Sequence, residues 1–168
     1  MPDLYDFLAL HGIAYLRCDH PPVATVADVE RLVPPLDGAR TKNLFLRDKK
    51  GVRHALVVVA ADKPVDLGRL AAGIGLERPS FGSSERLQKH LGIAPGAVSL
   101  LALVNDERHA VEVFIDCDLW QANALQCHPL VNTATLVVSR DGVERFLGAT
   151  GHAFRLVDVP PPVPTAPA

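Results

Sequence analysis

Apolar residues at Leu4, Phe7, Leu8 and Leu10 recur at near-helical spacing and stop at Gly12, which predicts an opening helix. Residues 13–16 read as a short strand. The segment His20-Pro21-Pro22-Val23 is extended, because proline disfavours helix in the residue before it. Thr25 then caps a helix through Val26, Val29, Leu32 and Val33, which Pro34-Pro35 ends. Two β-compatible runs, residues 41–46 and 54–60, flank the charged turn Arg47-Asp48-Lys49-Lys50-Gly51 and predict a hairpin. Asp66 caps a short helix through Leu70 and Ala71, and Ser83 or Ser84 caps another through Leu87 and Leu91 before Gly92. Beyond the turn at Pro95-Gly96, residues 98–104, 111–115 and 133–138 predict strands. A helix around Val143, Phe146 and Leu147 and a strand over 154–157 close the pattern.

Helices and strands interleave without a regular βαβ rhythm, so the fold class is α/β: a compact single domain with a mixed sheet and surrounding helices. Its expected extent is residues 1–159, with 160–168 a Pro-rich tail that cannot build core. At 168 residues, 48% hydrophobic and 21% charged, the composition excludes a disordered chain, a coiled coil and a collagen-like repeat. Three cysteines without CxxC spacing argue against a disulfide framework or a zinc knuckle and for a reduced, cytoplasmic setting. The acidic start lacks the pattern of a secretory signal, and the apolar run 56–61 is far short of the ~20 residues that span a bilayer. Dinucleotide, nucleoside triphosphate and serine-hydrolase motifs (GxGxxG, the P-loop, GxSxG) are missing.

The formal charge of −2 excludes a wholly basic nucleic-acid wrapper. It hides an island, however: residues 40–54 hold six basic side chains against the single acid Asp48. Such a concentration suits a phosphate-bearing ligand, or else decorates a solvated hairpin tip. Lys42 opens an apolar strand, where its ammonium must either snorkel to solvent or be held by fixed partners. His128 lies between Cys127 and Pro129, with Cys18-Asp19-His20 as a second cluster, but the spacing fits no zinc pattern and no metal is expected. Because Pro129 stiffens the backbone, His128 reads either as a positioned pocket wall or as a satisfied loop histidine. The loop from Gly92 to Gly96 can offer backbone groups to a ligand or simply turn the chain.

In order along the chain, His20-Pro21-Pro22-Val23-Ala24-Thr25, Thr41-Lys42-Asn43-Leu44-Phe45-Leu46-Arg47-Asp48, Ser80-Phe81-Gly82-Ser83, the segment Leu91 to Val98, Val104-Asn105-Asp106 and His128-Pro129-Leu130-Val131-Asn132-Thr133-Ala134-Thr135 resemble the YbaK/ProX family of aminoacyl-tRNA editing domains. The resemblance is greatest to the free-standing branch that deacylates mischarged tRNA(Pro). It implies a cofactor-free hydrolase acting on Ala-tRNA(Pro), with Cys-tRNA(Pro) the alternative substrate and a non-catalytic nucleic-acid-binding domain the alternative role. It places the family's required lysine at Lys42, with Asn43 beside it in catalysis. Thr25, Phe45, Ser80, Gly96 and His128 are the implied substrate-binding residues, and Arg47, Lys49, Lys50 and Arg78 the implied tRNA contacts. Expected partners are mischarged tRNA(Pro) together with prolyl-tRNA synthetase or an elongation factor. Neither membrane nor DNA is expected, since no helix-turn-helix or zinc motif is legible.

Overall fold

The computed structural model describes residues 2–163. Among these, eight strands run in chain order: β1 (Leu16–Asp19), β2 (Thr41–Arg47), β3 (His54–Ala60), β4 (Ser80–Phe81), β5 (Val111–Asp116), β6 (Ala124–Cys127), β7 (Ala134–Ser139) and β8 (Phe154–Val157). Six α-helices accompany them: α1 (Leu4–Leu10), α2 (Val26–Leu32), α3 (Leu67–Ile74), α4 (Ser84–Leu91), α5 (Cys117–Trp120) and α6 (Arg140–Thr150). A mixed five-stranded sheet has the order β4-β2-β3-β5-β8, antiparallel from β4 to β3 and parallel from β3 to β8. A second, antiparallel sheet has the order β1-β7-β6. The α/β class expected from the sequence is the one found, with the strands divided between two sheets.

Strand alternation decides which side chains meet. On one face of the larger sheet, Phe45, Leu56, Val58, Val113 and Ile115 join the main core with residues of α1, α4, α6 and the smaller sheet. On the other face Leu46, Ala55, Val57, Val59 and Phe114 pack against Leu70, Ala71 and Ile74 of α3. β3 is buried on both faces, which explains its unbroken apolar run.

Two expectations are corrected. Residues 98–104 are not a strand: after Ser99, whose hydroxyl accepts from the Leu101 amide at 3.2 Å, the chain forms a 3₁₀ segment, Leu100–Asn105. All of Leu100 to Val104 are buried, so this run has no alternation by which strand and helix could be told apart. The first strand lies later than 13–16, because pairing with β7 runs from Leu16 opposite Val137 to Asp19 opposite Ala134. Buried Ile13 precedes it as a core plug. The short elements β4, α5 and β6 had no pattern of their own. Of the expected tail, residues 160–163 carry no regular structure and Pro161 accepts from Arg69 at 2.7 Å, while 164–168 lie outside the described residues.

Candidate active site

The two sheets are joined where the chain enters β2. Ala39 donates to the Ala124 carbonyl at 2.8 Å and accepts from the Gln126 amide at 2.9 Å, and one residue pair later the Thr41 hydroxyl donates to the Gln126 carbonyl at 2.7 Å. The Gln126 side chain, buried, donates to the Gly38 carbonyl at 3.1 Å. This seam forms one side of a cleft of about 170 Å³, closed by α2 and by the 3₁₀ turn Pro95–Ala97. The space is below the roughly 300–1,000 Å³ of a drug-sized site, so it suits a small moiety on a larger ligand.

Lys42 and Asn43 bring the chemistry of the seam into the cleft. The Lys42 ammonium donates to the main-chain carbonyl of Lys63. The Lys63 ammonium is itself held 2.8 Å from Asp116 and 3.0 Å from Asp118. Asn43 Oδ1 is buried with no hydrogen-bond partner among the described residues. A buried amide oxygen left unpaired costs stability unless a ligand or water supplies the donor, and that marks Asn43 as a residue waiting for one.

Cys127, His128 and Thr135 also line the cleft. His128 Nδ1 donates to the Ala134 carbonyl at 3.2 Å, which fixes the tautomer and leaves Nε2 bare. Burial, with His20 nearby, holds this imidazole below the ordinary histidine range, so it is neutral at physiological pH. His20 Nδ1 likewise donates to the Pro21 carbonyl at 2.9 Å, and its Nε2 is hydrogen-bonded to the Thr135 hydroxyl at 2.8 Å. Burial pushes the Cys127 thiol up to about 12, which keeps it protonated and disqualifies it as a nucleophile.

Thr25 also lines the cleft, but its hydroxyl accepts from the Asp28 amide at 3.1 Å in a capping box and so fixes the start of α2. Gly96 owes its place to size: a Cβ there would come within 3.3 Å of Asn132 Nδ2, which donates to the Val23 carbonyl at 3.0 Å. Phe45 and Ser80 are not brought to the cleft. Phe45 is buried, stacked on His54 with ring centroids 5.7 Å apart, and lies so close to Gly82 that a Cβ there would sit 2.4 Å from its ring. Ser80 accepts from Arg47 Nε at 3.2 Å at the opposite end of β2, five residues and ~17 Å from Lys42 along an extended strand. At that far end lie half-buried Arg47 and exposed Lys49, Lys50 and Arg78. Thr41, Gln126, Thr135 and Arg40 are cleft residues to which the sequence reading gave no role. Thr41 and Thr135 lie in segments that carry the family resemblance and Arg40 in the basic island, while Gln126 offered no signal.

Residues 20–146 match the pattern of the aminoacyl-tRNA editing domain, a span that contains every cleft residue named above. The chain belongs to this editing-domain family. As such it is an aminoacyl-tRNA deacylase, a hydrolase of the ester between an amino acid and a tRNA. It is 39% identical over 147 residues to the prolyl-tRNA editing protein ProX of Acetoanaerobium sticklandii, covering 88% of this chain and 90% of that one. It is 35% identical over 152 residues to the prolyl-tRNA synthetase associated domain-containing protein 1 of Danio rerio, covering 89% and 82%. The fold is shared with the crystal structure of a candidate trans-editing enzyme for prolyl tRNA synthetase, at a TM-score of 0.67 and 19% identity over 95% of this chain and 97% of that one. Among the described residues of this editing domain no helix is long and apolar enough to cross a membrane.

Proposed function

We propose that this editing domain acts in trans on mischarged tRNA(Pro) and that alanine is the amino acid it removes. The observation that carries the proposal is a cleft too small for a nucleotide, lined by a lysine ammonium, an unpartnered Asn43 oxygen and a neutral, stiffly held histidine. Relatives named for prolyl-tRNA editing, one of them 39% identical, support the choice of tRNA.

An aminoacyl ester is already activated, so orienting a water and stabilising the developing oxyanion suffice. The Lys42 ammonium, with one N–H spent on the Lys63 carbonyl, has two left for the substrate carbonyl oxygen or the neighbouring phosphate. Water oxygen bonds to the carbonyl carbon, the ester C–O bond breaks, and the proton ends on the ribose oxygen that leaves. Asn43 Oδ1 and Thr135 Oγ1 are acceptors suited to the α-ammonium or the water. His128, with Val26 and Val29 on the facing helix, bounds the side-chain space. Walls of this kind admit a methyl group and exclude a pyrrolidine ring, the direction in which sterics discriminate strongly. Lys49, Lys50, Arg47 and Arg78 would meet the tRNA backbone. A domain acting in trans must reach the tRNA during or after aminoacylation, so prolyl-tRNA synthetase and elongation factor are the protein partners to assay by co-sedimentation.

Deacylation of Ala-, Cys-, Ser- and Pro-tRNA(Pro) by the purified protein tests this. Fastest turnover of Ala-tRNA(Pro) with Pro-tRNA(Pro) spared is expected. Preference for Cys-tRNA(Pro) would replace alanine with cysteine, and inactivity on all four would overturn the proposal.

A further inference from the structure

We propose that Lys63 is a positioning residue for deacylation: its carbonyl aims the Lys42 ammonium, and its own side chain anchors that carbonyl to Asp116 and Asp118. This role depends on Lys42 being the working cation of the cleft, as proposed above. Lys63 follows β3 in a tight reversal, its amide donating to the Ala60 carbonyl at 3.0 Å while the Ala61 amide donates to the Arg40 carbonyl at 3.0 Å. The reversal brings the Lys63 carbonyl to the Lys42 ammonium, yet the Lys63 side chain lines no part of the cleft. It turns instead to Asp116 at 2.8 Å and Asp118 at 3.0 Å. The Asp116 side chain is 0% exposed, and its other oxygen accepts from the Val159 amide at 3.1 Å, which ties the same point to the chain beyond β8.

A lysine side chain is a flexible stem bearing a point charge, so something must restrict it if its N–H groups are to face a reacting oxygen. A carbonyl that accepts one N–H orients the other two. A turn carbonyl can do so only if the turn is held, since connecting segments are mobile by default. The buried carboxylate supplies the hold. The two carboxylates take two of the three Lys63 N–H groups and hold its ammonium away from the cleft.

Single-turnover deacylation with enzyme in excess tests the proposal. In Lys63→Met, which keeps the stem and loses the anchor, the rate at saturating enzyme should fall about 10- to 100-fold, the scale of a small misplacement. The half-saturating enzyme concentration should not change, because Lys63 touches no substrate. Lys63→Arg, able to bridge both carboxylates, should recover most of the rate. Should Lys63→Met fail to fold with Asp116 left unpaired, Asp118→Asn carries the test, since that side chain is 77% exposed. It should lower the saturated rate about threefold, a modest loss because Asp116 still holds Lys63. In protein labelled with 13C at the lysine ε-carbons, of which the chain has five, the Lys42 signal should narrow in either variant as its ammonium gains motion. A parental saturated rate with an unchanged Lys42 signal overturns the role of Lys63. Parental activity in Lys42→Ala overturns instead the assignment of Lys42.

Discussion

At the cleft end of the β2–β3 hairpin Lys42 is half-buried and donates to a protein carbonyl, whereas at the turn end Lys49 and Lys50 are exposed. Between them in character is Arg53, whose guanidinium is bidentate on Glu112 at 2.9 Å for both bonds and also donates to the Gly75 carbonyl that ends α3. One basic island in the sequence is thus three things in space: a cleft cation, a structural clamp and a solvated patch. Strand length separates the first from the last, and the partner of each cation shows what it can do. An ammonium tied to a fixed acceptor acts at one point, while exposed ones act through the field they add.

The sharpest way to break this comparison is Lys42→Ala. Deacylation of Ala-tRNA(Pro) should fall about 10²–10³-fold, the usual loss when one preorganised donor to an oxyanion is removed, with the thermal midpoint little changed. If the parental rate survives, the two ends do not differ in the way described.

The turn end should respond to pH through its interior. Burial, His90 and Arg86 hold His54 down at about 4, against an ordinary value of 6.5. Below pH 6.5 the unfolded chain takes up a proton that the folded chain does not, so stability is full above that pH and falls as pH drops toward 4. The limit is about a tenfold loss in the folding constant per pH unit. Denaturant midpoints between pH 7 and 4.5 should flatten in His54→Gln. They should not become level, because His128 is shifted in the same direction.

His128→Ala sharpens the cleft end. The ratio of 2-aminobutyryl- to alanyl-tRNA(Pro) deacylation should rise about tenfold, the value of one methylene. An unchanged ratio in a folded variant would take His128 out of the wall. The smallest effect belongs to the exposed cations: replacing Lys49 and Lys50 by alanine should weaken tRNA binding several-fold and lower the slope of log affinity against log salt by at most about two. The order of preference among amino acids should stay the same.

Much of this was legible beforehand, for uneven reasons. The hairpin followed from two apolar runs around a charged turn, and α2 from Thr25 at its cap. That Thr25, Lys42, Gly96 and His128 meet in one cleft came from resemblance, since no periodicity links four separate segments. Gln126 escaped, and Thr135 was matched without a role, because a buried polar residue in a strand declares its part only by its partner, here the Gly38 carbonyl and His20. Four-residue β6, reading Ala-Leu-Gln-Cys, is too short for alternation to register. Phe45 shares the face of Asn43 by alternation but lies further along β2, where that face is covered by the core and Gly82 leaves room for its ring.

Cys127 also bears on how the chain meets oxidants and alkylating agents. Burial pushes its thiol up to about 12, which keeps it protonated at pH 7, and the thiolate is the form that such agents attack. Iodoacetamide should therefore modify the half-buried Cys18 and Cys117 before the buried Cys127 in the cleft wall, an order that peptide mass spectrometry reads directly.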